Sequence, residues 1–501
     1  MLVKSEHFFV ASRRFFSLTL LVIYNAAAVA GELKIGAATV DITPAPPVSV
    51  DGQMALRVAT KVETPVEANI IVLESDGMGG KKTTSVWITC DVVTIPTELR
   101  DMIRAAVADR LPGFNTRNML INATHTHTGG VVRANWYHEP DSILKVVDYQ
   151  RFIAGRVAGG VAEAWEKRQA GSVSWGLGYA KVAYNRRARY ADGSARMYGR
   201  TDVDEFRKIE GYEDQSINTL FFWSNSGSLM AACINVVSPA QIVESRSAIN
   251  ADYWHPLRQM LRDQNGRNLA VLGWIGAAGD QTPRPMYEHL AEARMVALRN
   301  GQKDLSTLGK DFRTDAYLKE MARRIAGCVN DICEVVRNDR HTDVQLVHQV
   351  EDWELPMRLV TEEEYAESKK ARDEDSAEPK RALEMKRRIA WQQEVIDRYE
   401  NQKKTGRPVY PVEIHVVRLG DIAIASNPFE LFTDYGVQMK ARSKALQTFV
   451  VQLAGPGTYL PTKEAEAGGH YSAIVQSVRV GPEGGQILVD KTVKAVNRLW
   501  P

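Results

Sequence analysis

Three apolar segments with interspersed polar positions mark the first part of the chain, at residues 68–73, 85–93 and 118–123. Alternation of this kind is typical of β-strands. Between the second and third segments, residues 97–111 form an amphipathic pattern that ends at Pro112-Gly113, which predicts a helix. Strand, helix and strand in this order predict a βαβ unit and a partly parallel sheet.

Similar patterns continue to the end of the chain. They predict an α/β fold with mixed β-sheets flanked by helices. Residues 413–425 resemble a hairpin that turns at Gly420-Asp421. The other predicted strands lie at residues 172–179, 218–223, 229–237, 268–275, 343–359 and 449–453, and the other predicted helices at residues 148–168, 315–337 and 491–499.

Residues 361–406 differ from the rest because they are densely charged. Met385, Ile389, Ile396 and Tyr399 recur at helical spacing, so that one face of a helix can pack against the protein. This pattern predicts a charged helical-hairpin insertion. Two roles stay open for it, a solvated structural element or a lid over the functional site.

Composition and charge exclude some classes of protein. Hydrophobic residues make up 44% of the 501 positions and charged residues 25%, which is ordinary for a globular protein. The net charge is +2, from 63 basic and 61 acidic residues. Such a balance gives no electrostatic reason to expect nucleic acid as a partner.

The first thirty residues have the layout of a secretory signal peptide. Lys4, Arg13 and Arg14 precede a short apolar run at residues 15–24, and Ala28-Val29-Ala30 resembles a cleavage site. A membrane anchor is the alternative, but the apolar run is about half the ~20 residues that a spanning helix needs. We therefore expect residues 1–30 to be a signal peptide cleaved after Ala30, and the protein to be secreted or periplasmic, without a transmembrane span.

The chain has four cysteines, Cys90, Cys233, Cys328 and Cys333. Export would permit disulfides, and Cys328 and Cys333 lie on one predicted helix. Buried free thiols are the alternative interpretation. The spacing predicts no structural zinc site.

His125 and His127 are the most informative pair of polar residues. They follow a predicted strand within Asn122-Ala-Thr-His-Thr-His-Thr-Gly-Gly130. In an extended chain, residues two apart point to the same side, roughly 7 Å from each other. Both imidazoles would then enter one cleft at the end of a strand, where α/β sheets usually bind ligands. There they could bind a metal ion or transfer protons, although an exposed polar turn would have the same sequence pattern.

Six segments that include this pair resemble the catalytic domain of the neutral, non-lysosomal ceramidases. They occur in the order found in that family and extend over most of the chain. The segments are Asp41-Ile-Thr-Pro44, Thr124-His-Thr-His-Thr-Gly129, Asn185-Arg186, Gly279-Asp-Gln-Thr-Pro283, Asn427-Pro-Phe-Glu430 and Tyr459 within Gly457-Thr-Tyr-Leu-Pro-Thr462. The resemblance implies that residues 31–501 form a ceramidase-like catalytic domain.

The resemblance also implies a zinc-dependent hydrolase of amide bonds. The family's zinc ligands include a histidine, a glutamate and a tyrosine, which match His125, Glu430 and Tyr459. Its substrate-binding and catalytic residues include a histidine and an arginine, which match His127 and Arg186. A serine that acts near the scissile amide in the family is replaced here by Thr282, which keeps the hydroxyl and adds a methyl group.

The family's second zinc histidine has no match, because Ser238 stands at its position. Serine is a poor zinc ligand, so three outcomes are open. His255 supplies the missing imidazole, the ion is held by three side chains and water or is a different metal, or the site has lost its metal.

The substrate is also open. Family members continue into an immunoglobulin-like domain after the tyrosine, whereas this chain ends at Pro501, so we expect a divergent member without that domain. The leading hypothesis is hydrolysis of a small-molecule or lipid amide. The alternatives are a different exported substrate, such as an acylated sugar or a cell-wall amide, and a binding protein built on a decayed hydrolase. The sequence does not determine the oligomeric state.

Overall fold

The computed structural model describes residues 32–76, 82–303, 309 and 311–500. The predicted signal peptide, residues 1–30, lies outside the described residues. Within the described part of the chain, no helix is long and apolar enough to cross a membrane.

Runs of strands are separated by helices along the chain. In chain order the described strands are β1 (Lys34–Asp41), β2 (Val48–Val50), β3 (Arg57–Ala59), β4 (Glu67–Asp76), β5 (Lys82–Cys90), β6 (Met119–Ala123), β7 (Gln169–Tyr179), β8 (Tyr184–Asn185), β9 (Arg187–Tyr190), β10 (Ala195–Met197), β11 (Phe206–Ile209), β12 (Ser216–Ser224), β13 (Leu229–Val236), β14 (Ala270–Ile275), β15 (Gln281–Thr282), β16 (Leu346–Pro356), β17 (Val409–Leu419), β18 (Ile422–Ser426), β19 (Glu430–Leu431), β20 (Gln447–Val451) and β21 (Tyr459–Leu460).

The described helices are α1 (Thr97–Arg110), α2 (Val146–Glu166), α3 (Trp254–Asn265), α4 (His289–Arg299), α5 (Asp315–Val336), α6 (Glu362–Ser376), α7 (Pro379–Glu384), α8 (Lys386–Thr405), α9 (Thr433–Arg442), α10 (Lys463–Gly468) and α11 (Pro482–Asn497).

The large sheet has eight strands in the order β14-β13-β12-β7-β1-β4-β5-β6. Its two edges contain parallel pairs: β5 with β6, connected through α1, and β13 with β14, connected through α3. The remaining pairs are antiparallel. The predicted βαβ unit and the mixed α/β fold class are therefore confirmed.

A smaller sheet, ordered β16-β17-β18-β20, packs face to face on the large one. The core between the sheets includes Trp87, Phe222 and Trp274 from the large sheet and Val417 and Phe449 from the small sheet. Strands buried on both faces are expected to be apolar along their whole length, as β14 is.

Helices cover the outer faces of both sheets. α1 and α2 pack on one half of the large sheet, and α3 and α5 pack on the other half. α9 and α11 pack on the outside of the small sheet. The resulting order of layers is helices, large sheet, small sheet, helices.

The charged helical-hairpin insertion is present as α6 and α8, joined by the short α7. Thr361 begins α6 with a capping box in which its side chain and that of Glu364 each bond the other residue's backbone N–H. Val395 and Ile396 of α8 are buried, and Arg398 donates to the backbone carbonyls of Val475 and Arg358. The insertion is therefore packed on the protein along one face, and it is not a freely solvated projection.

The closing helix α11 begins at Pro482, nine positions before the predicted start. The sequence pattern missed its first turn, because Pro482, Gly484 and Gly485 obscure the helical periodicity.

All four cysteines are free, as the interpretation of them as thiols predicts.

Candidate functional site

The site lies where several strands end. β6 ends at Ala123, and the chain then turns through His125, whose backbone is left-handed with φ 61°. A non-glycine residue in this conformation is uncommon and is held there by its surroundings. Here the His125 N–H donates to the Val92 carbonyl at 3.0 Å, which ties the turn to the segment after β5.

The rings of the two histidines are in contact. Their ring centroids are 4.7 Å apart, and the two Nε2 atoms are 3.2 Å apart. The predicted convergence of the two rings is therefore present, but the extended backbone was wrong, because the φ of His125 is positive. The left-handed turn at His125, and not strand alternation, brings the rings together.

Neighbouring groups determine which nitrogen of His125 carries a proton. His125 Nδ1 is 2.8 Å from the Val93 carbonyl oxygen, which only accepts hydrogen bonds, so Nδ1 is the donor. In the neutral ring, Nε2 then presents a lone pair to the cluster. A backbone carbonyl that orients an imidazole in this way is a common partner of metal-binding histidines.

Gln241 determines the state of His127 by the same reasoning. Its amide oxygen accepts from Arg186 Nη1 at 3.2 Å, so its amide nitrogen donates to His127 Nε2 at 2.8 Å. His127 Nδ1 lies 3.6 Å from Glu244 Oε2. Burial lowers the pKa of His127 well below its ordinary value, with further lowering by His125 and nearby arginines. His127 is therefore a neutral imidazole.

Glu430 and Tyr459 are brought side by side by the parallel pairing of β19 with β21, in which they are direct partners. Glu430 Oε2 is 3.5 Å from His125 Nε2, and its carboxylate is hydrogen-bonded to Tyr459. Burial alone would raise the pKa of Glu430, but His125 and Arg186 lower it below its ordinary value. Burial and Glu430 raise the pKa of Tyr459 well above its ordinary value.

Arg186 is buried between these groups. It follows β8, and its guanidinium donates to Tyr459 Oη at 3.1 Å, to the Gly279 carbonyl at 2.9 Å and to Tyr198 Oη at 3.3 Å. Burial would lower the pKa of Arg186, but the acidic groups around it, Tyr459 first, raise it well above its ordinary value. Arg186 thus keeps a fixed positive charge in a buried site.

Thr282 lies behind Arg186. Its hydroxyl accepts from Tyr198 Oη at 3.4 Å and from the backbone N–H of Arg284 at 3.2 Å. Thr282 is fully buried. It is therefore connected to the cluster through Tyr198.

The structure does not bring His255 to the cluster. His255 is half-buried in the first turn of α3, and the charged groups that influence it are Glu67, Asp91, Arg258 and Arg262. None of these groups belongs to the cluster of His125, Glu430 and Tyr459. Ser238 is buried, and its hydroxyl has no hydrogen-bond partner among the described residues.

Three residues of the site were not found from the sequence. Gln241 bridges His127 and Arg186, Glu244 faces His127, and Tyr471 is hydrogen-bonded to Tyr459 with ring centroids 5.6 Å apart. None of the three lies within the six segments that carry the resemblance, so the motifs gave no signal for them. The position of Gln241, three residues after Ser238 on the same loop, was the available signal for its role.

A cavity of about 150 Å³ opens beside the cluster. Its walls include Glu430 and Tyr459 from the cluster and Arg387, Trp391 and Glu394 from α8. α8 of the insertion therefore forms one wall of this cavity, and a lid role for residues 361–406 stays a prediction.

The donor set fits a metal ion in part. Within the described part of the chain, no group of three or more His, Cys, Asp or Glu side chains is placed to hold a metal. His125 and Glu430 supply one imidazole and one carboxylate, and a third donor would have to be Tyr459. Imidazole nitrogen and carboxylate oxygen are ordinary zinc ligands, and the lone pair on His125 Nε2 faces the Glu430 carboxylate.

The fold and the site together define the chain as an α/β protein with a buried His-Glu-Tyr-Arg cluster at its strand ends. No protein-family model matches the chain, and no curated protein matches its sequence. Among solved structures, it is similar to the neutral ceramidase from Pseudomonas aeruginosa, with a TM-score of 0.64 and 16% identity over 93% of this chain and 75% of that one. A ceramidase complexed with C2 is equally similar, with a TM-score of 0.64 and 16% identity over 93% of this chain and 76% of that one. The chain therefore has a ceramidase-like fold.

Proposed function

We propose that the protein is a ceramidase-like hydrolase of N-acyl amide bonds that depends on a metal ion, with zinc as the expected ion. The ceramidase-like fold supports the class of reaction. The arrangement of polar atoms around His125 supports the metal.

The observation that carries the proposal is that two hydrogen-bond acceptors face the Nε2 atom of His125. In the neutral ring, this nitrogen presents a lone pair to His127 Nε2 at 3.2 Å and to Glu430 Oε2 at 3.5 Å. The lone pair of His127 Nε2 already accepts from Gln241. Facing acceptors in a buried site repel each other unless a cation lies between them, either a proton on His125 or a metal ion.

A metal ion held by His125, Glu430 and Tyr459 would activate water at neutral pH and polarise the acyl carbonyl. Ser238 does not replace the family's second histidine, so a water molecule is the expected remaining ligand. His255 is not part of this proposal, because its charged neighbours lie outside the cluster.

The other residues have roles that follow from their contacts. The fixed charge of Arg186 stabilises negative charge that develops on the acyl oxygen. His127 accepts from Gln241 at Nε2, so the proton of its neutral ring lies on Nδ1, which faces Glu244 Oε2 at 3.6 Å. This is the proton that His127 would hold for the departing amine. Thr282 orients Tyr198 against Arg186 and acts through it.

Metal analysis and hydrolysis test the proposal together. Purified mature protein is expected to contain about one zinc or similar ion per chain, and His125→Ala is expected to lose both the ion and most of the hydrolysis of N-acyl substrates. Tyr212→Phe is a suitable control, because Tyr212 is 63% exposed and the hydrogen bonds that Asn185 and Gln281 make to it use its backbone carbonyl, which the substitution keeps. Metal-free protein that hydrolyses N-acyl substrates equally well with and without His125 would refute the proposal.

Substrate and export are tested separately. Rapid cleavage of N-acylsphingosine would support a lipid amide, and preference for an acylated sugar or a cell-wall amide would support the alternative. Absence of turnover with retained ligand binding would instead support a binding protein. Export after cleavage at Ala30 stays a prediction, which N-terminal sequencing of the mature protein tests.

A further inference from the structure

The helical insertion contributes one charged residue whose charge is not paired. Arg387 of α8 lines the cavity that also contains Glu430 and Tyr459. Its guanidinium lies 4.0 Å from the centre of the Trp136 ring and donates to the Gln53 carbonyl at 3.1 Å. These partners are uncharged, so they position the guanidinium without neutralising it.

The other arginines of the cavity wall have carboxylate partners. Arg133 donates to both oxygens of Asp51, and Arg479 donates to both oxygens of Glu394. Among the described residues, Arg387 has no ion pair of this kind. Arg387 acts on the Asp51 carboxylate only through its charge, and both oxygens of that carboxylate accept from Arg133.

Two further hydrogen-bond donors of the same cavity lack partners. Trp136 Nε1 and Ser477 Oγ are buried and have no hydrogen-bond partner among the described residues. Buried donors are normally paired, so a ligand or water is expected to accept from them. They add two unsatisfied donors to the cavity wall that also carries the unpaired charge of Arg387.

The cavity is small. Its volume is about 150 Å³, whereas pockets for drug-sized ligands occupy roughly 300–1,000 Å³. Its aromatic walls, Trp136, Trp391 and Tyr471, leave room for a compact polar group.

We propose that the cavity binds the anionic group of a compact N-acyl substrate, and that Arg387 is the residue that recognises this group. A carboxylate or a phosphate on the amine part of the substrate would accept from Arg387, as guanidinium groups bind both anions well. This inference rests on the proposed hydrolase function for its substrate class. It assigns the helical insertion a role in specificity.

Three substrates with the same acyl chain test the charge preference. N-hexanoylglycine carries a carboxylate, N-hexanoyl-O-phosphoethanolamine carries a phosphate, and N-hexanoylethanolamine is neutral. We expect Arg387→Gln to lower kcat/KM for the better anionic substrate by about 10- to 100-fold, the effect of a lost charged hydrogen bond, with less than a threefold change for the neutral one. The ratio between the two anions identifies which one the cavity accepts.

Matched variants separate recognition from structure. Arg388→Gln removes the neighbouring charge, which is exposed and paired with Asp375, and is expected to leave all three substrates unchanged. Arg387→Lys keeps the charge without the planar fork, so it is expected to retain part of the preference. An equal loss for charged and neutral substrates in Arg387→Gln would show that Arg387 only supports the wall, and would overturn the inference.

Calorimetric binding keeps this test independent of catalysis. Each compound is titrated into the native protein and into Arg387→Gln, with turnover followed in parallel. Tighter binding of an anionic compound that depends on Arg387, in the absence of any hydrolysis, would contradict the hydrolase and support anion recognition. Equal binding of charged and neutral compounds by the native protein would overturn anion recognition, whether or not they are hydrolysed.

Discussion

The ion pair between Arg258 and Asp91 is expected to stabilise the segment that carries His125. Arg258 Nη1 lies 2.5 Å from Asp91 Oδ2, and Nη2 lies 2.9 Å from Oδ1. The two side chains are only 1% and 0% exposed. Asp91 also accepts from the Thr124 hydroxyl at 3.1 Å, immediately before His125.

Replacing Arg258 by methionine leaves the Asp91 carboxylate buried without its counter-charge. Breaking a buried pair in this way costs about 3–5 kcal/mol. Asp91 keeps two donors, the Thr124 hydroxyl and the Glu67 N–H at 2.9 Å, so we expect a loss near 3 kcal/mol, at the lower end of this range.

Urea denaturation followed by tryptophan fluorescence measures the change in the free energy of unfolding. The double variant Arg258→Met with Asp91→Asn removes both charges and is expected to recover about half of the loss, because no buried charge is left unpaired. Arg267→Met is the control, since Arg267 is 89% exposed and its ion pair with Asp263 should contribute less than about 1 kcal/mol. A loss in Arg258→Met no larger than in this control would refute the reasoning.

Three further predictions follow from buried groups elsewhere and in the site. The half-buried His348 is hydrogen-bonded to Ser85 and His415, and loss of hydration is the first cause that lowers its pKa well below the ordinary value. The unfolded chain therefore binds a proton at His348 below about pH 6.5 and the folded chain does not, so stability is lost as the pH falls. His348→Asn should reduce the loss between pH 6.5 and 5.5 by up to about 1 kcal/mol in thermal or urea unfolding, and an equal loss in both proteins would be the contrary result. Gln241→Leu should lower kcat about tenfold and shift the pH profile of hydrolysis, because His127 loses the hydrogen-bond donor that orients its ring. An unchanged pH profile would show that Gln241 does not position His127. The half-exposed Cys328 should react first with iodoacetamide in the native protein, whereas the buried Cys90 should react only after unfolding. Mass spectrometry of the labelled peptides measures both reactions. Early labelling of Cys90 would contradict its burial.

The pattern of apolar and polar residues predicted the local secondary structure best. The βαβ unit formed by β5, α1 and β6 and the helical hairpin at residues 361–406 follow from short-range periodicity, and both are present. The start of α11 was missed because proline and glycine obscure its first turn. The turn at His125 was also missed, because its left-handed backbone depends on contacts with the segment after β5.

The sequence determines which residues of the candidate site are neighbours along the chain, and only the tertiary structure determines which distant residues join them. His125 and His127 are two residues apart, so the sequence alone placed them side by side. The left-handed turn that brings their ring centroids to 4.7 Å depends on the contact of His125 with the segment after β5. Glu430 and Tyr459 lie 303 and 332 residues after His127, and Arg186 lies 59 residues after it. The motif resemblance could name these three residues without showing that they meet. Only the packing of the two sheets and the pairing of β19 with β21 brought these side chains together, left His255 outside the cluster, and set α8 against the cavity.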